Sequence, residues 1–100
     1  LRSLGYSVLV VKNGAEGLAE IKRSHPDLIL LDLQMPGMDG FEVTRQIRQD
    51  STSKHTPIIA LSALAMQGDR ERCLEAGMDD YMSKPIYLKE LLKKIQDQLK

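Results

Sequence analysis

The stretch DLILLDLQMPGMDG, residues 27–40, decides how this chain is read. Its first half carries four apolar residues in a row, Leu28 to Leu31. A short continuous apolar run bounded by turn residues fits a strand buried on both faces. The run ends on a carboxylate, Asp32, and opens at once into a loop of Met, Pro and Gly. A buried strand that delivers an acid to its end, beside a loosened backbone, has the pattern of a site at a sheet edge.

The flanking sequence repeats the theme. SVLVV (7–11) is a β-branched run and predicts a strand. Asn13 is a candidate N-cap for the helix AEGLAEIKRSH, with Leu18 and Ile21 on one side and His25-Pro26 ending it. Phe41 to Asp50 predicts a helix with Val43 and Ile47 inward and Asp39 as its cap. PIIALSA (57–63) predicts a third strand, QGDRERCLEAG a helix closed by Gly77, and DYMSKP a short fourth strand. Leu88, Leu91, Leu92, Ile95 and Leu99 follow the 3.6 period of a last helix. Strand and helix alternate with short links, which predicts an α/β fold with a parallel sheet covered by helices on both faces.

Composition narrows the function. One hundred residues fit one domain. Acids and bases balance at 14 each, which gives no reason to expect nucleic acid or an anionic membrane as a partner. Cys73 is the single cysteine, so no disulfide forms within the chain, and a cytoplasmic setting is expected. No apolar run approaches the ~20 residues of a membrane span.

In parallel α/β sheets, sites form beyond the carboxyl ends of the strands. The residues there are Asn13, Asp32, Ser62 with Ala63, and Lys84. A carboxylate can attack phosphorus and form an acyl phosphate. The transferred group carries charge on its peripheral oxygens and needs cationic and hydrogen-bonding partners. Lys84 offers a mobile charge with three donors, Ser62 a hydroxyl. Mg²⁺ would be the usual third partner. The sequence leaves the isomer of Lys84-Pro85 open.

LILLDLQMPGMDG, PIIALSALA and AGMDDYMSKPI, in this order and spacing, resemble the receiver domain of two-component response regulators, above all receivers of hybrid histidine kinases. The resemblance covers nearly the whole chain, as one receiver domain over residues 1–100. It implies a flavodoxin-like sheet of strand order 2-1-3-4-5. It implies that Asp32 is the phosphoacceptor, Lys84 the phosphate-pairing lysine, Ser62 the switch hydroxyl and Tyr81 the switch aromatic. Mg²⁺ would be bound by Asp32 and the backbone carbonyl of Gln34. A histidine kinase or histidine phosphotransfer domain would be the partner, and self-association as a homodimer is a further expectation. The chain departs from the family at its start. LRSLGY matches the end of the family's first helix, so the first strand, with its acidic pair of metal ligands, and most of that helix are expected to be missing. That strand belongs between those of Val8 and Leu30, and its loss predicts a split sheet with two exposed edges.

Each residue also has a plainer reading. Asp32 alone could cap a turn, Ser62 could be a small strand-end residue, and Lys84 a solvated lysine. Tyr81 alone reads as a half-buried strand aromatic. Asp79 and Asp80 read as solvated turn acids, Cys73 as a small buried hydrophobe, His25 and His55 as surface. The five methionines read as packing residues. Two other functions compete. A phosphatase working through an aspartyl phosphate would want a second acid two residues after Asp32, where Gln34 stands. A degenerate or truncated receiver would serve only as an interaction module.

Overall fold

The computed structural model describes residues 2–3, 6–35, 39–63 and 68–99. The chain runs β1 (Arg2–Ser3), β2 (Tyr6–Val11), α1 (Gly14–Ser24), β3 (Leu28–Asp32), α2 (Gly40–Gln49), β4 (Ile58–Ser62), α3 (Asp69–Glu75), β5 (Asp80–Ser83), α4 (Leu88–Gln98). The strands form one sheet in chain order. The last four are parallel, and β1 pairs antiparallel with the start of β2.

Two sequence expectations are corrected here. Arg2–Ser3 forms a two-residue strand against Tyr6 and Ser7, not the end of a helix. The expected gap is also absent. β2 pairs directly with β3, from Val8 on Leu28 to Val11 on Leu31. Two parallel strands with unpaired backbone on facing edges close on each other, because an orphaned buried N–H or C=O costs more than a change of neighbour. The four parallel strands lie in chain order, with no strand between β2 and β3.

The apolar runs explain the layers. β3 and β4 are buried along both faces, as continuous Leu and Ile runs require. One face packs Val11, Ile29, Leu31, Ile58 and Ala60 under Ile21 of α1, Val43 and Ile47 of α2, and Cys73 of α3. The other packs Val8, Leu28, Leu30, Ile59, Leu61 and Met82 under Ile95 of α4, with Leu91 and Leu99 beside it. Leu88, placed by periodicity on the apolar stripe of α4, is 64% exposed. Gly17 lets α1 lie against β2, since a Cβ there would stand 2.3 Å from a Val11 methyl.

The caps match their sequence signals. Asn13 accepts from the Glu16 N–H at 3.1 Å, and Asp39 from the Glu42 N–H at 2.9 Å. α1 ends on His25, which takes the left-handed conformation at φ 48 before Pro26. After α3, Gly77 at φ 106 closes a Schellman motif: its N–H reaches the Leu74 carbonyl at 3.1 Å, and the Met78 N–H the Cys73 carbonyl at 3.0 Å.

Asp79 and Asp80 are not solvated turn acids. Asp79 accepts from the Ile58 N–H at 2.8 Å and from Arg48 at 2.8 Å. Arg48 also donates to the carbonyls of Gly77 and Thr56, so one α2 side chain ties three segments. Asp80 is 8% exposed and accepts from Arg70 of α3 at 3.1 Å and Lys94 of α4 at 3.2 Å. Burial pushes its carboxyl upward, but the Tyr81 N–H, Lys94 and Arg70 outweigh that and hold it below the ordinary carboxylate value.

Candidate phosphoacceptor site

The site is assembled at the carboxyl edge of β3, β4 and β5. Asp32 is the last residue of β3 and pairs in register with Leu61 of β4. Ser62 ends β4 and pairs with Ser83, the last residue of β5. Lys84 follows, its own N–H donating to the Ser62 carbonyl at 2.7 Å. The Lys84–Pro85 peptide is cis.

Two of these side chains meet directly at the edge. Lys84 Nζ lies 2.9 Å from Asp32 Oδ2, with the lysine 34% and the aspartate 17% exposed. The pair is therefore half open, reachable by a reactant yet sheltered enough for its charges to matter. The second oxygen, Oδ1, accepts from the Gln34 N–H at 2.9 Å. Ser62 is 2% exposed. Tyr81 is partly buried against the three-helix face, and its hydroxyl is buried with no hydrogen-bond partner among the described residues. Asn13 is occupied in capping α1.

One feature is new. The Gln34 carboxamide spans the gap between the β3 and β4 loops. Its Nε2 donates to Ser62 Oγ at 3.3 Å, and its Oε1 accepts from the Ala63 N–H at 2.7 Å. Sequence reasoning assigned Gln34 only its backbone carbonyl. The only signal that could have found the side-chain role is that a glutamine two residues past the acid can reach the neighbouring strand end.

Asp32 and the Gln34 carbonyl are hard oxygen donors of the kind Mg²⁺ takes. They are few, and no group of three or more His, Cys, Asp or Glu comes together among the described residues. Mg²⁺ commonly keeps several waters and shares phosphate oxygens, so the donors present fit such an ion in kind. Pro36, Gly37, Met38 and Met66, given loop or packing roles from sequence, lie outside the described residues. Met78 and Met82 are buried as expected, as is Cys73. Both His25 and His55 are exposed.

Fold and site together define a flavodoxin-like parallel domain with an acid, a hydroxyl and a lysine gathered at one edge. The chain belongs to the response regulator receiver domain family, whose model matches residues 1–96. It is 38% identical to the polar-differentiation response regulator DivK of Brucella ovis, over 99% of this chain and 80% of that protein. It is similar to the receiver domain of the sensor histidine kinase PA1611 of Pseudomonas aeruginosa PAO1. That structure was solved with a magnesium ion coordinated in the active site cleft, and is 33% identical at TM-score 0.83 over 94% of this chain and 97% of that one. The chemotaxis response regulator CheY4 of Vibrio cholerae matches at TM-score 0.83 and 27% identity, over 92% of this chain and 97% of that one. The chain is thus a two-component signalling module. No described helix is long and apolar enough to cross a membrane.

Proposed function

We propose that Asp32 accepts a phosphoryl group from a phosphohistidine on a histidine kinase or histidine phosphotransfer domain. The observation that carries this reading is the 2.9 Å pair of Asp32 and Lys84 at the carboxyl edge, with Ser62 on the next strand. An Asp32 oxygen bonds to phosphorus as the P–N bond to the histidine breaks, and the imidazole leaves with the electron pair. Lys84 holds the incoming group's charge, and the new acyl phosphate adds about −1.5 to −2 charges. A Mg²⁺ bound by Asp32 and the Gln34 carbonyl would neutralise further charge on the phosphoryl oxygens.

Ser62 is the switch hydroxyl and Tyr81 the switch ring. The Tyr81 hydroxyl has no described bond to lose, which supports a ring that moves when Ser62 is drawn to phosphate. The face of α3, β5 and α4 then changes, and partners read it, a second copy of this chain among them. The domain occupies residues 1–100 and works in the cytoplasm without contacting nucleic acid or membrane. A hybrid histidine kinase is the parent its wording resembles. The second reading is a receiver that binds partners without being phosphorylated, favoured by the lack of any cluster of three or more His, Cys, Asp or Glu among the described residues.

Incubation with acetyl phosphate and Mg²⁺ tests the proposal by mass spectrometry. One phosphoryl mass gain is expected, lost in Asp32→Asn. Equal gain in Asp32→Asn overturns the assignment.

A further inference from the structure

The two faces of the sheet are covered unequally. Residues of α1, α2 and α3 pack on one face, while among the described residues α4 is the only helix on the other. A helix is about 10 Å across and strands lie about 4.8 Å apart, so one helix covers roughly two of the four parallel strands. Val8 of β2 packs on the α4 side and is 8% exposed. Alternation along the strand places Tyr6 and Val10 on that same face, where they are 37% and 42% exposed. The helix is short of cover as well. Leu88 is exposed, and Leu92, one turn on, is half-buried.

The orientation of α4 shows which of its flanks borders this opening. Lys94 donates to Asp80 of β5 at 3.2 Å, at the opposite side of the sheet from β2. At about 100° per residue, the other flank carries Leu92, Lys89 and Gln96, with Lys93 beside them. Lys89 and Lys93 are exposed, and neither is in an ion pair among the described residues. The result is an open lane with Tyr6 and Val10 as its floor, Leu88 and Leu92 as one wall, and lysines along the rim.

We propose that this lane is a docking groove for one amphipathic helix of a partner protein. Its apolar stripe sits on Tyr6, Val10, Leu88 and Leu92, and its acidic flank meets Lys89 and Lys93. Docking of this kind reads apolar anchors at i, i+3, i+4 and i+7. β2 has six residues and is about 20 Å long, so about 14 helical residues span it. The charges favour such a partner over a second copy of this chain. Two copies joined by this face would bring their lysine flanks together, since Glu90 and Asp97 are exposed on the outer side of α4. The inference does not depend on whether Asp32 takes phosphate.

The probe is a synthetic peptide of about 14 residues with leucines at those spacings and glutamates along one flank. It is dye-labelled and titrated with the full chain by fluorescence anisotropy. A helix that short is marginal in water, so its helical circular dichroism is expected to rise on binding. Leu88→Asp and Val10→Asp are each expected to weaken binding about ten- to hundredfold, what burial of one aliphatic side chain is worth. A peptide with lysine in place of every glutamate is expected to bind about three- to tenfold weaker at low salt, the gap narrowing as salt is added. Thermal melts identify unfolding. If Val10→Asp unfolds, Leu88→Asp decides, because an acid suits the first turn of a helix.

A glutamate peptide that does not bind, or that binds folded Leu88→Asp as tightly as the parent, overturns the inference. A lysine peptide that binds equally well at low salt removes the acidic partner and overturns it as stated. So does mass growth of the chain alone that Leu88→Asp abolishes, which gives the face to a second copy.

Discussion

Lys84 and Ser62 stand at the same sheet edge as Asp32, yet their chemistry divides the work. Lys84 is the cation hydrogen-bonded to Asp32. Its replacement by Ala is expected to lower phosphate incorporation about 10²-fold, the loss typical of one preorganised charge-stabilising donor. Ser62 is neither nucleophile nor charge, and Ser62→Ala is expected to slow incorporation far less. Its effect is expected instead in the gain of partner binding on phosphorylation, which falls toward the unphosphorylated level. Paired phosphate-incorporation and partner-binding assays check this, and an undiminished gain in Ser62→Ala removes its switch role. At this scale the sequence was readable where a residue's place is fixed by a strand end. Asp32, Ser62 and Lys84 each close or follow a strand, so parallel packing brings them to one edge. Gln34 and Asp80 were not readable. Their roles depend on which side chains arrive from other elements: Ser62 and Ala63 for the first, Arg70 and Lys94 for the second.

Among the elements, α2 carries a local charge cluster. Glu42 accepts from Arg45 and from Gln46 at 2.9 Å, and lies in the first turn. The Arg45 hydrogen bonds, then that from Gln46, hold its carboxyl down at about 2 from 4.5. A lowered folded-state pKa stabilises at pH above the unfolded value and loses that effect as pH falls through the folded one. The melting temperature of the parent is therefore expected to exceed that of Glu42→Gln at pH 6. The difference is expected to close between pH about 4.5 and about 2. Parallel thermal melts across that window check it, and a pH-independent difference assigns the effect to packing. Helix caps were legible because they are local: Asn13, Asp39 and Gly77 act within a few residues of themselves. Arg2–Ser3 was not, because two residues carry no periodicity and their state is set by the strand they meet.

For the whole molecule, the closed β2–β3 ladder reverses an expectation. A split sheet would have left facing backbone edges open to other chains, whereas direct pairing satisfies them within the chain. The unphosphorylated chain is expected to be a monomer near 11.2 kDa by light scattering, with a single cooperative melt. Concentration-dependent mass growth would show that the ladder opens in solution. The layer order was legible from the alternation of apolar runs and amphipathic stretches. The closure was not, since resemblance supplies a family's lanes but not how a sheet rearranges when one is vacant.

Because each parallel strand is followed by a helix running back, α1, α2, α3 and α4 all begin at the edge where Asp32 lies. Their peptide dipoles therefore point the same way, each with a partial positive end of roughly half a charge at that edge. A chain whose formal charges cancel thus keeps an electrical direction, positive where the phosphoryl group would arrive and negative on the opposite rim. An incoming anion meets these helix ends together with the side chains there, and added salt would weaken the attraction without altering a single contact.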